Sequence, residues 1–176
     1  AGSIIGKSLE KSGGAFTIAD STLKIVGKKN VPLALSIIGY IVSIPVFCDS
    51  GFIIIAPLAK ALTKQVKISF AIGAMALSLG LIVTHSIIPP TPGPVGAAGI
   101  LNADLGLVIL LGLPVSIIGM ITGWLFSIKI ASKIQIDPLP DSENTEIKSS
   151  GQPSIGKALL PIFMPIFLII LRSINA

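Results

Sequence analysis

Two ionisable side chains stand where their charge is expensive. Asp49 is the sole charged residue between Asn30 and Ala59. Between Ile68 and Ile128 there is no Lys or Arg, and His85 and Asp104 are the ionisable residues of that stretch. A charged side chain at the middle of a membrane span costs about 2.5 kcal/mol or more, so such residues usually handle a substrate or a proton. A carboxyl can take up and release a proton, and an imidazole changes charge near neutral pH. Simpler roles remain open for both. Asp49 is spaced to N-cap a half-helix starting near Phe52. His85 could tether the prolines that follow it. One histidine and a distant aspartate make neither a metal cluster nor a triad, so no metal, cofactor or enzyme activity is expected.

Beside each residue the sequence interrupts a helix. Pro45 and Pro57 flank Cys48-Asp49-Ser50-Gly51, and His85 precedes Pro89-Pro90-Thr91-Pro92-Gly93-Pro94. Prolines supply no N–H and push their predecessors toward extended geometry, so Pro89–Pro94 is expected to be a non-helical break. The Val95-Gly96-Ala97-Ala98-Gly99 run that follows is nearly free of side-chain bulk. Its N–H groups could approach a carboxylate, or its small residues could permit tight helix packing. Ser43, Ser50, Thr84, Ser86 and Thr91 offer hydroxyls near the breaks, though each could equally bond its own backbone. Asn102 and Asp104 read as a turn, and Gly112, Pro114 and Gly119 as packing and kink positions.

The elements that must hold these residues are membrane helices. The chain has 176 residues, 52% hydrophobic and 12% charged, with a mean hydropathy of +0.92. Soluble domains carry about 25% charged residues. Too little polar surface exists to face water, so the missing surface implies lipid. The net charge of +5 comes from lysines at the ends of apolar runs, a pattern of membrane topology and not of a nucleic-acid patch. The single cysteine, Cys48, allows no internal disulfide. The expected fold is all-α and polytopic. Residues 1–30 form an amphipathic, interfacial segment, with short pieces around Ile4, Ile5 and Leu9 and from Ala15 to Val26. Residues 31–131 form the transmembrane core. Residues 132–157 form a polar loop, and 158–176 start a further transmembrane helix. With no initial Met and a last apolar run cut short, the chain reads as a fragment of a longer protein.

The lysines specify a topology. Basic residues prefer the cytoplasmic side of short loops, and three clusters need placing: 24–29, 60–67 and 129–133. A single crossing over Asn30–Ala59 would put the second cluster opposite the first. It would also be roughly 45 Å long against a hydrocarbon core of about 30 Å. A re-entrant helical hairpin over 31–62, with its tip at Cys48–Gly51, puts both clusters inside. A discontinuous transmembrane helix over 68–101 then crosses outward. A helix over 107–131 returns and brings Lys129 and Lys133 to the same side, with Trp124 near the interface. Two backbone breaks at membrane depth must then be buried in protein or line a wet cavity. That is how secondary transporters build substrate sites, with half-helix N-termini facing an anion.

The residues around both breaks also resemble a known family. Pro45-Val46-Phe47-Cys48-Asp49-Ser50-Gly51-Phe52 with Pro57-Leu58 is similar to the Phe-x-Asp/Glu-x-Gly-Phe segment of the gluconate permeases. His85 with Pro89-Pro90-Thr91-Pro92-Gly93-Pro94 resembles their His-x-x-x-Pro-Pro-x-Pro-Gly-Pro signature, and Ala103-Asp104-Leu105-Gly106 their Ala-Asp-x-Gly turn. Gly6–Ala15 is similar to a Lys-x-x-Glu-x-Ser-Gly-Gly-Ala segment of the same family. The likeness runs from about residue 2 to 131. It implies a gluconate:proton symporter of the ion transporter superfamily, multi-pass in a bacterial inner membrane. Glycerate or D-serine is the alternative cargo on the same scaffold, and a purely structural membrane protein is a third reading. The expected substrate and proton set is Asp49, Ser50, Gly51, His85, Thr91, Pro92 and Gly93, with no catalytic residue. The expected partners are a small carboxylate, protons and the bilayer, with no nucleic acid; a homo-oligomer is left open.

Overall fold

A computed structural model describes residues 14–27, 30–136 and 154–174. The expected segment around Ile4–Leu9, Lys28 and Lys29, and most of the polar loop lie outside these residues. The described residues are all-helical: α1 (Gly14–Val26), α2 (Val31–Val42), α3 (Cys48–Gln65), α4 (Phe70–Ile87), α5 (Pro92–Ile100), α6 (Leu105–Lys129), a 3-10 turn (Ala131–Lys133) and α7 (Ile155–Ile174).

Helix α4 is the centre of the bundle, and α2, α3 and α6 all pack on it. Its partners run in readable directions. Leu35 and Thr63 both reach Gly73 near the start of α4, while Val42 and Gly51 meet near Leu81. Helix α2 therefore runs parallel to α4 and α3 returns antiparallel, so the two form a helical hairpin. The α2–α4 approach is close because both helices lack side chains there. A Cβ on Gly39 would stand 2.6 Å from the carbonyl oxygen of Leu77, and one on Gly80 would fall on the backbone of Ser36. Leu35, Ile38, Ile55, Leu77 and Leu81 fill the core around this seam. Two hydroxyls cross it: Ser36 Oγ donates to the Ala76 carbonyl at 3.2 Å and Thr84 Oγ1 to the Tyr40 carbonyl at 2.9 Å.

Helix α6 lies antiparallel to α4. Gly112 faces Ile87, Gly119 faces Val83 and Gly123 faces Leu79, which gives the expected packing role to Gly112 and Gly119 and adds Gly123. The Tyr40 hydroxyl and Ser116 Oγ share a hydrogen bond of 2.8 Å between α2 and α6. The opposite face of α6, including Leu110, Leu111, Ile118 and Leu125, is exposed and apolar. Among the described residues, two helical stretches are long and apolar enough to cross a membrane. They are Phe70–Ile100, of 31 residues and mean hydropathy 1.9, and Leu105–Lys133, of 29 residues and mean hydropathy 2.4.

Where the chain turns, side chains take over from the helical ladder. Asp104 N-caps α6 by accepting from the Leu107 N–H at 2.9 Å. Asn102 before it adopts a left-handed φ of 51°, which Asn tolerates well. Ser69 N-caps α4 and also ties down the segment after α6. It donates to the Ile134 carbonyl at 2.7 Å and accepts from the Ile136 N–H at 3.1 Å.

Two expectations are corrected. Pro92-Gly93-Pro94 is not part of the break but the first turn of α5, with Thr91 as N-cap. The first helical turn leaves its N–H groups unpaired, so prolines cost nothing there. The break shrinks to Ile88–Thr91, with a cis peptide bond between Pro89 and Pro90. Asp49 is not an N-cap either. Phe47 holds that position and Asp49 lies in the first turn of α3, where a negative charge still favours the positive end of the helix dipole.

Candidate functional site

The first break, Ser43–Phe47, separates the arms of the hairpin. Ser43 is buried; its N–H donates to the Gly39 carbonyl at 3.0 Å and its hydroxyl to the Val46 carbonyl at 3.4 Å. It serves its own turn. The turn delivers Phe47, Cys48 and Asp49 to the hairpin tip. Cys48 Sγ donates to Asp49 Oδ1 at 3.6 Å, and both Asp49 and Ser50 are exposed. Gly51 is buried because Leu81 of α4 leaves no room for a side chain: a Cβ there would stand 2.8 Å from Leu81 Cδ2.

The second break ends α4 just beyond His85. Thr91, 5% exposed, places Oγ1 2.9 Å from the His85 carbonyl and 2.7 Å from the Ile88 carbonyl. Those carbonyls lie in the last turn of α4 and at its C-cap, where proline geometry removes the usual donors. Thr91 therefore holds the shape of the break, and its hydroxyl is already engaged. Thr84 likewise donates to the carbonyls of Tyr40 and Gly80. Of the expected hydroxyls, Ser50 and Ser86 are the exposed ones.

The tertiary structure brings the two breaks together. The Phe47 ring lies 5.6 Å from the His85 ring at 57°. His85 Nδ1 is buried with no hydrogen-bond partner among the described residues. A buried polar atom without a partner costs about 1–3 kcal/mol, so its persistence needs a reason. Next to this contact is a cleft of about 300 Å³ lined by Cys48, Asp49, Phe52, Ser78, Leu81 and Ile82, among others. Ser78, Ile82 and His85 follow one another at helical spacing on α4. Ser78 was not singled out in the sequence, although its position seven residues before His85 puts it on the same face. Phe47 stands in the sequence only as the first residue of the permease-like Phe-x-Asp segment, and its apolar run gives it no further signal.

Pro92 and Gly93 sit at the N-terminus of α5, both exposed. Since Pro92 and Pro94 have no N–H, Gly93 is the only residue of Pro92–Pro94 that carries one. The Val95 N–H is used within the helix, donating to the Thr91 carbonyl at 3.2 Å. The expected row of free N–H groups after the prolines is thus consumed by helix formation. Apart from its chain neighbours and its own helix backbone, a Cβ built on Gly96 or Gly99 would meet nothing within 4 Å, so tight packing is not seen there either.

The family model for the GntP family permeases matches residues 1–176. This chain belongs to that permease family. An uncharacterized permease of Haemophilus influenzae is 40% identical over 98% of this chain and 38% of its own length. A gluconate permease of Pseudomonas aeruginosa is 32% identical over 98% of the chain and 39% of the relative. The inner membrane permease YgbN of Escherichia coli is 31% identical over 99% and 41% respectively. The chain therefore spans about two fifths of the length of these curated relatives. No solved structure matches it at a significant level. The family identity accords with the long apolar helices.

Proposed function

We propose that the complete protein is a proton-coupled symporter of gluconate or a related small hydroxycarboxylate, multi-pass in a bacterial inner membrane. The observation that carries this reading is the meeting of the two breaks: Phe47 at the hairpin tip against His85 beside the proline break. Polar, broken backbone at membrane depth survives only where it is covered by protein or lines a wet cavity. Helix α3 starts at this tip and directs its N-terminal dipole toward the region an anion would occupy. The name of the Pseudomonas relative favours gluconate.

In this reading 31–62 is re-entrant and 68–101 is one discontinuous crossing. Asp49 and His85 take the proton, and Ser50, Gly51, Thr91, Pro92 and Gly93 surround the cargo. Thr91 does so indirectly, by fixing the break that presents Gly93.

Uptake of labelled gluconate by cells expressing the complete protein tests it. Asp49→Asn and His85→Ala should each abolish accumulation while the protein still reaches the membrane. Wild-type accumulation by both variants overturns the assignment. Competition by unlabelled glycerate and D-serine in the same assay decides between cargoes.

A further inference from the structure

A second cleft opens at the opposite end of the bundle from the hairpin tip. It encloses about 590 Å³ between the start of α2, the turn after α3, α4 and the end of α6. Its walls include Asn30, Val66, Ile68, Ile72, Trp124 and Ile128. Apart from Asn30 and the indole N–H of Trp124 these side chains offer no polar group, so a polyhydroxy acid would lose its water there for few partners. The residues next to this lining in the chain have the opposite character. Lys67 stands between Val66 and Ile68, and Lys129 follows Ile128; both are exposed. Lys64 and Lys133 flank them, and among the described residues none of these four is in an ion pair. The described carboxylates lie elsewhere. Asp20 pairs with Lys24 at 2.7 Å, Asp49 is at the hairpin tip, and Asp104 caps the far end of α6.

One ligand class satisfies both halves of this site. We propose that the cleft seats an acyl chain of an anionic phospholipid, with the headgroup phosphate among Lys67 and Lys129. Free phosphate has no use for the apolar walls, and a zwitterionic lipid gains little from the unpaired lysines. Trp124, one turn inside Lys129, supplies an indole at the depth where such rings mark the boundary between acyl chains and headgroups. Basic pockets between helices on the cytoplasmic side are suited to anionic headgroups. The bound lipid would fasten the returning ends of α3 and α6 to the start of α4.

The complete protein, purified in detergent and stripped of lipid, provides the test. Phosphatidylglycerol, phosphatidylcholine or inorganic phosphate is added back, and bound lipid is counted by native mass spectrometry alongside the thermal midpoint. Phosphatidylglycerol should be retained over phosphatidylcholine by on the order of tenfold or more, and should raise the midpoint. Lys67→Gln with Lys129→Gln should remove that preference, and Lys67→Arg with Lys129→Arg should keep it. Ile72→Trp, which fills the cleft and leaves the lysines, should lower retention of both lipids. Equal retention of the two lipids by the wild type overturns the proposal, as does a preference unchanged in the double Gln variant. Stabilisation by phosphate alone, or no lipid uptake because another part of the chain fills the cleft, also overturns it. Lipid retention does not depend on the cargo, so these outcomes are separable from those of the uptake assay.

Discussion

Thr91 has one hydroxyl hydrogen and two carbonyls within reach, those of His85 and Ile88. It sits at the point where the chain leaves α4 and before it enters α5. Thr91→Val keeps the shape and removes the donor. Interhelical side-chain hydrogen bonds in membrane proteins average about 0.6 kcal/mol and reach about 1.7. The variant should lose stability on that scale, read as a lower thermal midpoint, and should transport more slowly because Gly93 and His85 are no longer held in register. Thr91→Ser should restore both. A Thr91→Val protein equal to wild type in midpoint and rate would show that the hydroxyl does not hold the break. Asp49 and His85 could be found in the sequence because a charge in an apolar run stands out against its neighbours. Ser78 could not, and Phe47 stood out only as part of the permease-like segment, since their significance is an address beside Asp49 and beside His85.

At the scale of elements, the seam between α2 and α4 is closely packed. Gly39 and Gly80 let two backbones touch, and Ser36 and Thr84 donate across the contact. Gly80→Leu must push the helices apart, because its Cβ would occupy the position of the Ser36 backbone. Overpacking of this kind typically costs about 1–3 kcal/mol. The expected result is a marked fall in the amount of folded protein extracted from membranes, with the same substitution at Gly96 much milder because its Cβ would meet no described neighbour. Comparable yields from Gly80→Leu and Gly96→Leu would contradict the seam. The helices could be predicted as helices from their apolar length. Their ends were less legible. Prolines break a helix when they stand inside it and begin one when they stand at its start, and the residues of Pro89–Pro94 do both in succession.

For the whole molecule, topology is the quantity to measure. Lys67 and Lys129 lie at one end of the bundle, and Asn102 follows α5 at the other. In a Cys48→Ser background, Asn102→Cys should react with a membrane-impermeant thiol reagent added outside intact cells. Lys67→Cys and Lys129→Cys should react only after permeabilisation. Labelling of Lys67→Cys from outside would mean that 31–62 crosses the membrane instead of turning back. The lysine clusters already demanded a hairpin, because one crossing is too long and puts like clusters on opposite sides. That demand concerns only which side each end occupies.

By itself the sequence determined that this protein lives among lipids, where its helices lie, and which polar residues are costly enough to need a reason. Each of these follows from composition or local order, which one chain segment carries alone. Only the tertiary structure decided that the hairpin tip meets His85, that Thr91 is spent on backbone carbonyls, and that neighbours of lysines far apart in sequence line a single apolar cleft. Those facts depend on α2 and α3 packing at opposite senses against α4. Such packing is fixed by small residues meeting across helices, a pairing that no local pattern encodes.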